Sequence, residues 1–159
     1  LGATIFKVEG YGEEKYNKEN LLSFNSKTIQ NKKEKFVILK LNKKNNEFII
    51  NGSSYNGKAK TSNIVGNWWN HNLLNADSQI SPISGSIKKQ KIIFISKEQI
   101  ELYGKTFNTE HYKLKSANMN IADDKKLNFD IWFEKKTGLI LKVKYSRMGD
   151  WEYRLKSFE

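Results

Sequence analysis

The stretch Leu139-Ile140-Leu141-Lys142-Val143-Lys144-Tyr145 decides the fold. Leu139, Leu141, Val143 and Tyr145 alternate with lysines, a period of two that places one residue set on each face of a strand. Trp151, Tyr153 and Leu155 repeat the pattern with Glu152, Arg154 and Lys156 between them. The two runs are joined by Ser146-Arg147-Met148-Gly149-Asp150, a short glycine-containing hairpin loop. Upstream, Phe129, Ile131 and Phe133 alternate with Asn128, Asp130 and Trp132, and Lys135-Lys136-Thr137-Gly138 makes the turn. The C-terminal part therefore reads as a three-stranded antiparallel meander with one apolar and one polar face.

Working toward the N-terminus, further strands are expected at Thr4–Glu9, Leu21–Gln30, Phe36–Asn42, Glu47–Asn51, Ile92–Ser96, Ile100–Tyr103 and His111–Ser116. Turn residues separate them at Asn17–Asn20, Asn31–Lys33, Lys43–Asn46, Asn51-Gly52, Asn56-Gly57 and Tyr103–Lys105. Phe36-Val37-Ile38-Leu39 and Ile92-Ile93-Phe94-Ile95 are apolar at every position, which predicts central strands or strands covered on both sides. Asn118–Lys126 reads as a polar loop. The expected fold is mainly all-β, a curved antiparallel sheet or half-open β-barrel. Residues 1–159 read as a single β domain, since no repeat or composition break divides them.

One segment departs from the β pattern. In Asn67–Ala76, Trp69, Leu73 and Ala76 fall at i, i+4 and i+7, so a short helix near Trp68–Ala76 is expected, capped by Asn67 and plugging the mouth of the sheet. Its Trp69–Leu73–Ala76 face should be buried, with Trp68 at the boundary.

Composition excludes several chemistries. There is no cysteine among the 159 residues, which removes disulfides, thiolate metal sites and cysteine nucleophiles. The formal net charge is +11, yet of 28 basic residues only Arg147 and Arg154 are arginines. Phosphate and base recognition favours arginine's bidentate fork. With Asn and Ile also abundant, the lysine excess reads as compositional. No specific nucleic-acid partner is expected, only weak attraction to anionic surfaces. No apolar run approaches the roughly 20 residues of a membrane-spanning helix. The first residue is Leu1, which is read as the start of a processed or trimmed chain.

Catalytic signals are sparse. His71 lies in the expected helix and His111 beside Glu110. Ser84-Gly85-Ser86 reads as a turn and not a nucleophile elbow. Asp130 should leave the apolar face of its strand and pair with Lys142 or Lys144 opposite. The Asn118–Asp124 run fails the calcium-loop pattern, which would put a glycine at 123 and a glutamate at 129 where Asp123 and Phe129 stand. Gly10-Tyr11-Gly12 lacks the rest of a dinucleotide fingerprint. No catalytic residue, metal ligand or cofactor is assigned.

Several short motifs add a resemblance. They are Glu14, Leu22, Ser26-Lys27-Thr28-Ile29-Gln30-Asn31, Trp69-Asn70-His71-Asn72-Leu73-Leu74, Asp130-Ile131-Trp132-Phe133 and Gly149-Asp150-Trp151-Glu152-Tyr153-Arg154-Leu155. Together they resemble a family of exported proteobacterial β-domain proteins of unknown function, akin to curved-sheet folds of the lipoprotein-carrier type. The resemblance implies a periplasmic or envelope location and early strands preceding Leu1. It also implies a non-enzymatic role, binding an apolar small molecule, lipid or partner in the sheet concavity. Trp68, Trp69, His71, Leu73 and Trp132 are the expected ligand-binding residues. The alternatives are an enzyme or enzyme accessory using the same cavity, resting on His71, His111 and Asp130, and a weak nucleic-acid binder acting through the lysine-rich surface.

Overall fold

A computed structural model describes residues 7–146 and 150–157. They form two compact units, one drawn from the chain up to Gly66 with Gln79–Lys88, the other from Asn67–Ser78 with the chain from Lys89 onward. Both are built of strands, as the alternation predicts.

The first unit is a five-stranded antiparallel meander in the order β1 (Val8–Asn17), β2 (Asn20–Gln30), β3 (Lys33–Asn42), β4 (Glu47–Gly52) and β5 (Tyr55–Lys60). Its first three hairpins turn at the predicted Asn- and Lys-rich points. Asn51-Gly52 and Asn56-Gly57, expected as turns, instead lie in the paired strands β4 and β5, and the chain turns at Ser53-Ser54 between them. Asn31 and Lys32 both take positive φ, 46° and 70°, the geometry of the tight turn that matches strand twist. Phe24, Val37, Leu39, Phe48, Ile50 and Ala59 point to one face and pack with Val65 of β6 (Ile64–Val65) and Ile80 of β7 (Ser78–Ile80). β6 and β7 pair in parallel, Ile64 with Gln79 and Val65 with Ile80. Strand β5 lay outside the expected set, because Tyr55-Asn56-Gly57-Lys58-Ala59-Lys60 offers two apolar side chains and a glycine. β3 is central as expected, but its second face is not covered. Val37 and Leu39 are buried while Phe36 and Ile38 remain half in solvent.

The second unit carries β8 (Ile87–Leu102) from Lys89 onward, β9 (Lys105–Ser116), β10 (Asn128–Glu134), β11 (Leu139–Ser146) and β12 (Asp150–Arg154), hydrogen-bonded in that order. The sheet that carries them is strongly curled, in keeping with the half-open barrel expected. The two strands expected at Ile92–Ser96 and Ile100–Tyr103 are one strand, β8, with a bulge between Phe94 and Ser96. Here too the all-apolar run is not covered on both sides: Ile93, Phe94 and Ile95 are exposed. The part of the first expected strand at Thr4–Phe6 and the Arg147-Met148-Gly149 part of the last hairpin loop lie outside the described residues.

The helix expectation needs correction. His71–Asn75 forms one 3-10 turn, capped by Asn70, whose side chain accepts from the Asn72 backbone N–H at 3.1 Å. Asn67 Oδ1 accepts from Asn70 N–H at 3.2 Å in the same way. Asparagine side chains compete with the backbone for hydrogen bonds, and four of them in nine residues stop an α-helix before it propagates. Trp69 therefore precedes the turn and is 71% exposed, not buried. Leu73 is fully buried, as expected. The predicted polar loop holds a second 3-10 turn, Asp123–Lys125.

Candidate functional site

Two arrangements in the second unit gather its chemistry, one on each face of the sheet. On the polar face, register aligns Ser96, His111, Trp132, Lys142 and Arg154 across five strands. Beside that row, Lys113, Asp130, Lys144 and Glu152 form a second. Opposite charges on adjacent strands draw the rows together. His111 Nε2 lies 2.8 Å from Asp130 Oδ1, and His111 Nδ1 lies 2.9 Å from Glu98 Oε1. Lys113 Nζ lies 2.7 Å from Asp130 Oδ2, and Ser96 Oγ donates to Glu98 at 2.9 Å.

Trp132 completes the cluster. The His111 ring stacks on it with centroids 4.5 Å apart, and Lys142 Nζ stands 4.3 Å from the indole centroid. Trp132 also packs with Ile100, Leu102 and Leu141 and is 6% exposed. It is a buried wall and not an open stacking platform. Its Nε1 is buried with no partner of good hydrogen-bond geometry, although the Glu98 carboxylate lies close enough to feel it.

Burial pushes the Asp130 carboxyl up, but the hydrogen bonds and charges of Lys113 and His111 outweigh it and hold it below the ordinary range. Glu98 behaves alike. Burial raises it, while the Ser96 hydroxyl, the Trp132 indole and His111 together bring it below. Nearby, burial and the Glu110 carboxylate push the Tyr112 hydroxyl up to about 12, so it stays a donor to Glu110 at 2.7 Å. Asp130 thus pairs with Lys113 and His111, not with Lys142 or Lys144 as expected. Those lysines turn to the Trp132 ring and to Glu152, at 3.9 and 3.8 Å.

The cluster does bring together a histidine and Asp130. Both His111 ring nitrogens nevertheless face carboxylate oxygens and are thus engaged within the cluster. Among the described residues no group of three His, Cys, Asp or Glu has metal-binding geometry. An open depression of about 450 Å³ beside Glu98 is lined by polar residues such as Asn108, Glu110 and Lys135. A second, of about 400 Å³, lies beside Asp77 and Gln90.

The apolar face carries an aromatic ladder. Phe129, Tyr145 and Trp151 are register partners across β10, β11 and β12. Tyr145 stacks on Phe129 at 4.6 Å, and Trp68 meets Phe129 edge-on at 4.9 Å. The His71 ring stacks on Phe133 at 5.5 Å. Leu114, Ile131 and Val143 form the buried strip of this face, while Phe94, Trp151 and Tyr153 on the outer strands are exposed. Of the expected ligand residues, Trp68 and His71 lie on this face, Leu73 is buried, Trp69 projects into solvent, and Trp132 belongs to the opposite, charged face. The cluster members that sequence reading missed are Glu98 and Lys113. The bulge between Phe94 and Ser96 alters the pairing of β8 with β9, so Glu98's approach to His111 could not be counted off the sequence.

The family model for a domain of unknown function, DUF6134, matches residues 1–156. The chain belongs to that family. No curated protein and no solved structure matches the chain. As the family's description carries no role, what this DUF6134 domain does has to be argued from its own surfaces.

Proposed function

We propose that this DUF6134 domain is a non-enzymatic binding protein of the periplasm or cell envelope, and that its aromatic sheet face takes an apolar chain such as a lipid's. The observation that supports this most is the Trp68–Phe129–Tyr145–Trp151 ladder, which ends at exposed Trp151 and Tyr153. Aromatic side chains combine large apolar area with little rotamer freedom to lose, and contiguous exposed apolar surface marks binding sites. In this reading Trp68, Trp69 and His71 contact the ligand, and Leu73 supports them from beneath. Trp132 serves the opposite face as a wall of the charged cluster. The envelope location and the kinship to lipoprotein-carrier-like folds rest on the motif resemblance. The lysine excess adds weak, salt-sensitive attraction to anionic surfaces.

Titration with a long-chain fatty acid, followed by tryptophan fluorescence and native mass spectrometry, tests the reading. One-to-one binding that weakens in the Trp151→Ala, Tyr153→Ala double variant, with the melting temperature unchanged, supports it. No saturable binding, or binding indifferent to that double variant, removes it.

A further inference from the structure

Strand β1 (Val8–Asn17) is ten residues long and has β2 as its one sheet neighbour among the described residues. Among the described residues no strand lies along its other edge. Nine of its ten residues are exposed and Glu14 is half-buried, so neither face of the strand is covered. An edge of unpaired N–H and C=O groups recruits another strand unless something blocks it. The opposite edge of the same sheet, β5, is short and carries Lys58 and Lys60, a common way of blunting. β1 has no proline, and its regular pairing with β2 runs from Val8 to Lys15 before the irregularity at Tyr16.

The charges of β1 fit its own copy. When two β1 strands pair antiparallel about a two-fold axis at Gly12, Glu9 of each stands opposite Lys15 of the other. Tyr11 stands opposite Glu13, and Gly12 opposite Gly12. Two opposite-charge pairs form and no like charges face directly. Tyr11, 71% exposed in the single chain, gains a diagonal neighbour in the second Tyr11. An axis at Glu13 would set that carboxylate against itself, and an axis at Tyr11 would set Glu9 against Glu13 and Lys7 against Lys15. An axis at Gly10 also avoids like charges, but within the described residues it pairs only Lys7 to Glu13, against Lys7 to Asn17 for an axis at Gly12. We infer that β1 is a homodimerisation edge, pairing antiparallel with β1 of a second copy about Gly12. The contact is isologous, so it closes at two chains instead of growing into a fibre.

The absence of native cysteine makes the register directly readable. Opposed Cα atoms in an antiparallel pair lie about 4.5–5.5 Å apart, inside the roughly 4.4–6.8 Å span of a disulfide. A Cβ at Gly12 would meet Phe24 Cε2 at 3.5 Å, and one at Gly10 would meet Thr28 Oγ1 at 3.5 Å, so both positions admit a side chain. With the axis at Gly12, the two Gly10 positions are four residues out of step, roughly 13 Å apart.

Sedimentation of the wild-type chain is expected to show a dimer in the micromolar range. Mild oxidation should link Gly12→Cys into a covalent dimer and leave Gly10→Cys unlinked. Glu9→Lys places lysine against Lys15 twice and should weaken the dimer several-fold. Adding Lys15→Glu to that variant should restore it, and circular dichroism checks that every variant keeps its strands. A monomer at all concentrations with neither cysteine linking overturns the inference, and leaves the edge to a preceding segment of a longer chain or to another protein. Linking at Gly10 but not Gly12, or a Glu9→Lys loss that Lys15→Glu does not reverse, overturns it as well.

Discussion

His111 and Asp130 meet diagonally across the β9–β10 pair, Nε2 to Oδ1 at 2.8 Å, although neither is the other's register partner. His111 stands opposite Trp132, and Asp130 opposite Lys113. The diagonal lets one carboxylate serve both Lys113 and His111 while the imidazole ring lies flat on Trp132. Glu98 on β8 holds the other ring nitrogen, so a single histidine ties three strands together.

Acid should therefore loosen this cluster. Asp130 and Glu98 are both held below the ordinary carboxylate range. A depressed carboxylate contributes stability that is fully present above its unfolded value of about 4, and that stability is lost as pH falls through the lower folded value. The melting temperature should be flat near neutrality and fall as pH drops below about 4. Asp130→Asn should cost about 1–2 kcal/mol at neutral pH, since the partly exposed pair is screened by solvent, and should shrink the acid dependence. An identical acid limb in the variant would show that Asp130 takes no part in it.

How far the sequence reaches is clear from particular residues. Leu139–Tyr145 and Trp151–Leu155 declare their strands because one buried face and one wet face impose period two. β5 is silent because a Gly-Lys-Ala-Lys run carries almost no apolar signal. The Trp69–Leu73–Ala76 spacing suggested an α-helix, but local asparagine hydrogen bonds outweighed it. His111 and Asp130 were both visible as candidates, yet their meeting depended on cross-strand register, and Glu98's approach depended on a bulge. Neither is written in local pattern.

Two glycines should respond to alanine for different reasons. A Cβ on Gly52 would lie 2.6 Å from Ser84 O, a backbone atom of the same unit. Gly52→Ala should thus destabilise by about 1–3 kcal/mol through forced backbone displacement. Gly104 takes φ +72° with nothing within 4 Å of its Cβ direction, so Gly104→Ala meets only left-handed strain, about 1–2 kcal/mol. Gly104→Asn should recover much of that loss, because asparagine tolerates this region, whereas Gly52→Asn should be worse than Gly52→Ala. Urea titration of the four variants checks the ordering, and equal responses at both sites would contradict it.

Gln90 should anchor the 3-10 segment. Its buried amide Nε2 donates to Leu73 O at 2.9 Å and to Ala76 O at 2.8 Å, fixing the turn to β8. Gln90→Leu removes both N–H donors, leaving Ala76 O short of a partner and Leu73 O with only the 3.4 Å bond from Ala76 N–H, a cost of about 1–3 kcal/mol. Amide hydrogen exchange should quicken at residues 71–76 more than in β10 or β11. Uniform exchange along the chain would mean that the amide does not hold this turn.

The same segment provides the sharpest contrast between two neighbouring large side chains. Leu73 is fully buried, whereas Trp69, four residues earlier, is 71% exposed. Stability follows what burial removes from water and the cavity a truncation leaves behind, not residue size. Leu73→Ala should cost about 2–5 kcal/mol. Trp69→Ala deletes the bulkier group yet should fall within about 0.5 kcal/mol of wild type, as exposed positions do. Trp68, half-buried against Phe129 at 4.9 Å, should lie between them. Thermal melts of the three variants give the order Leu73, Trp68, Trp69 if the 3-10 description holds. An α-helix with Trp69 packed inward would instead make Trp69→Ala cost about 3–5 kcal/mol, and that result would reverse the assignment of the segment.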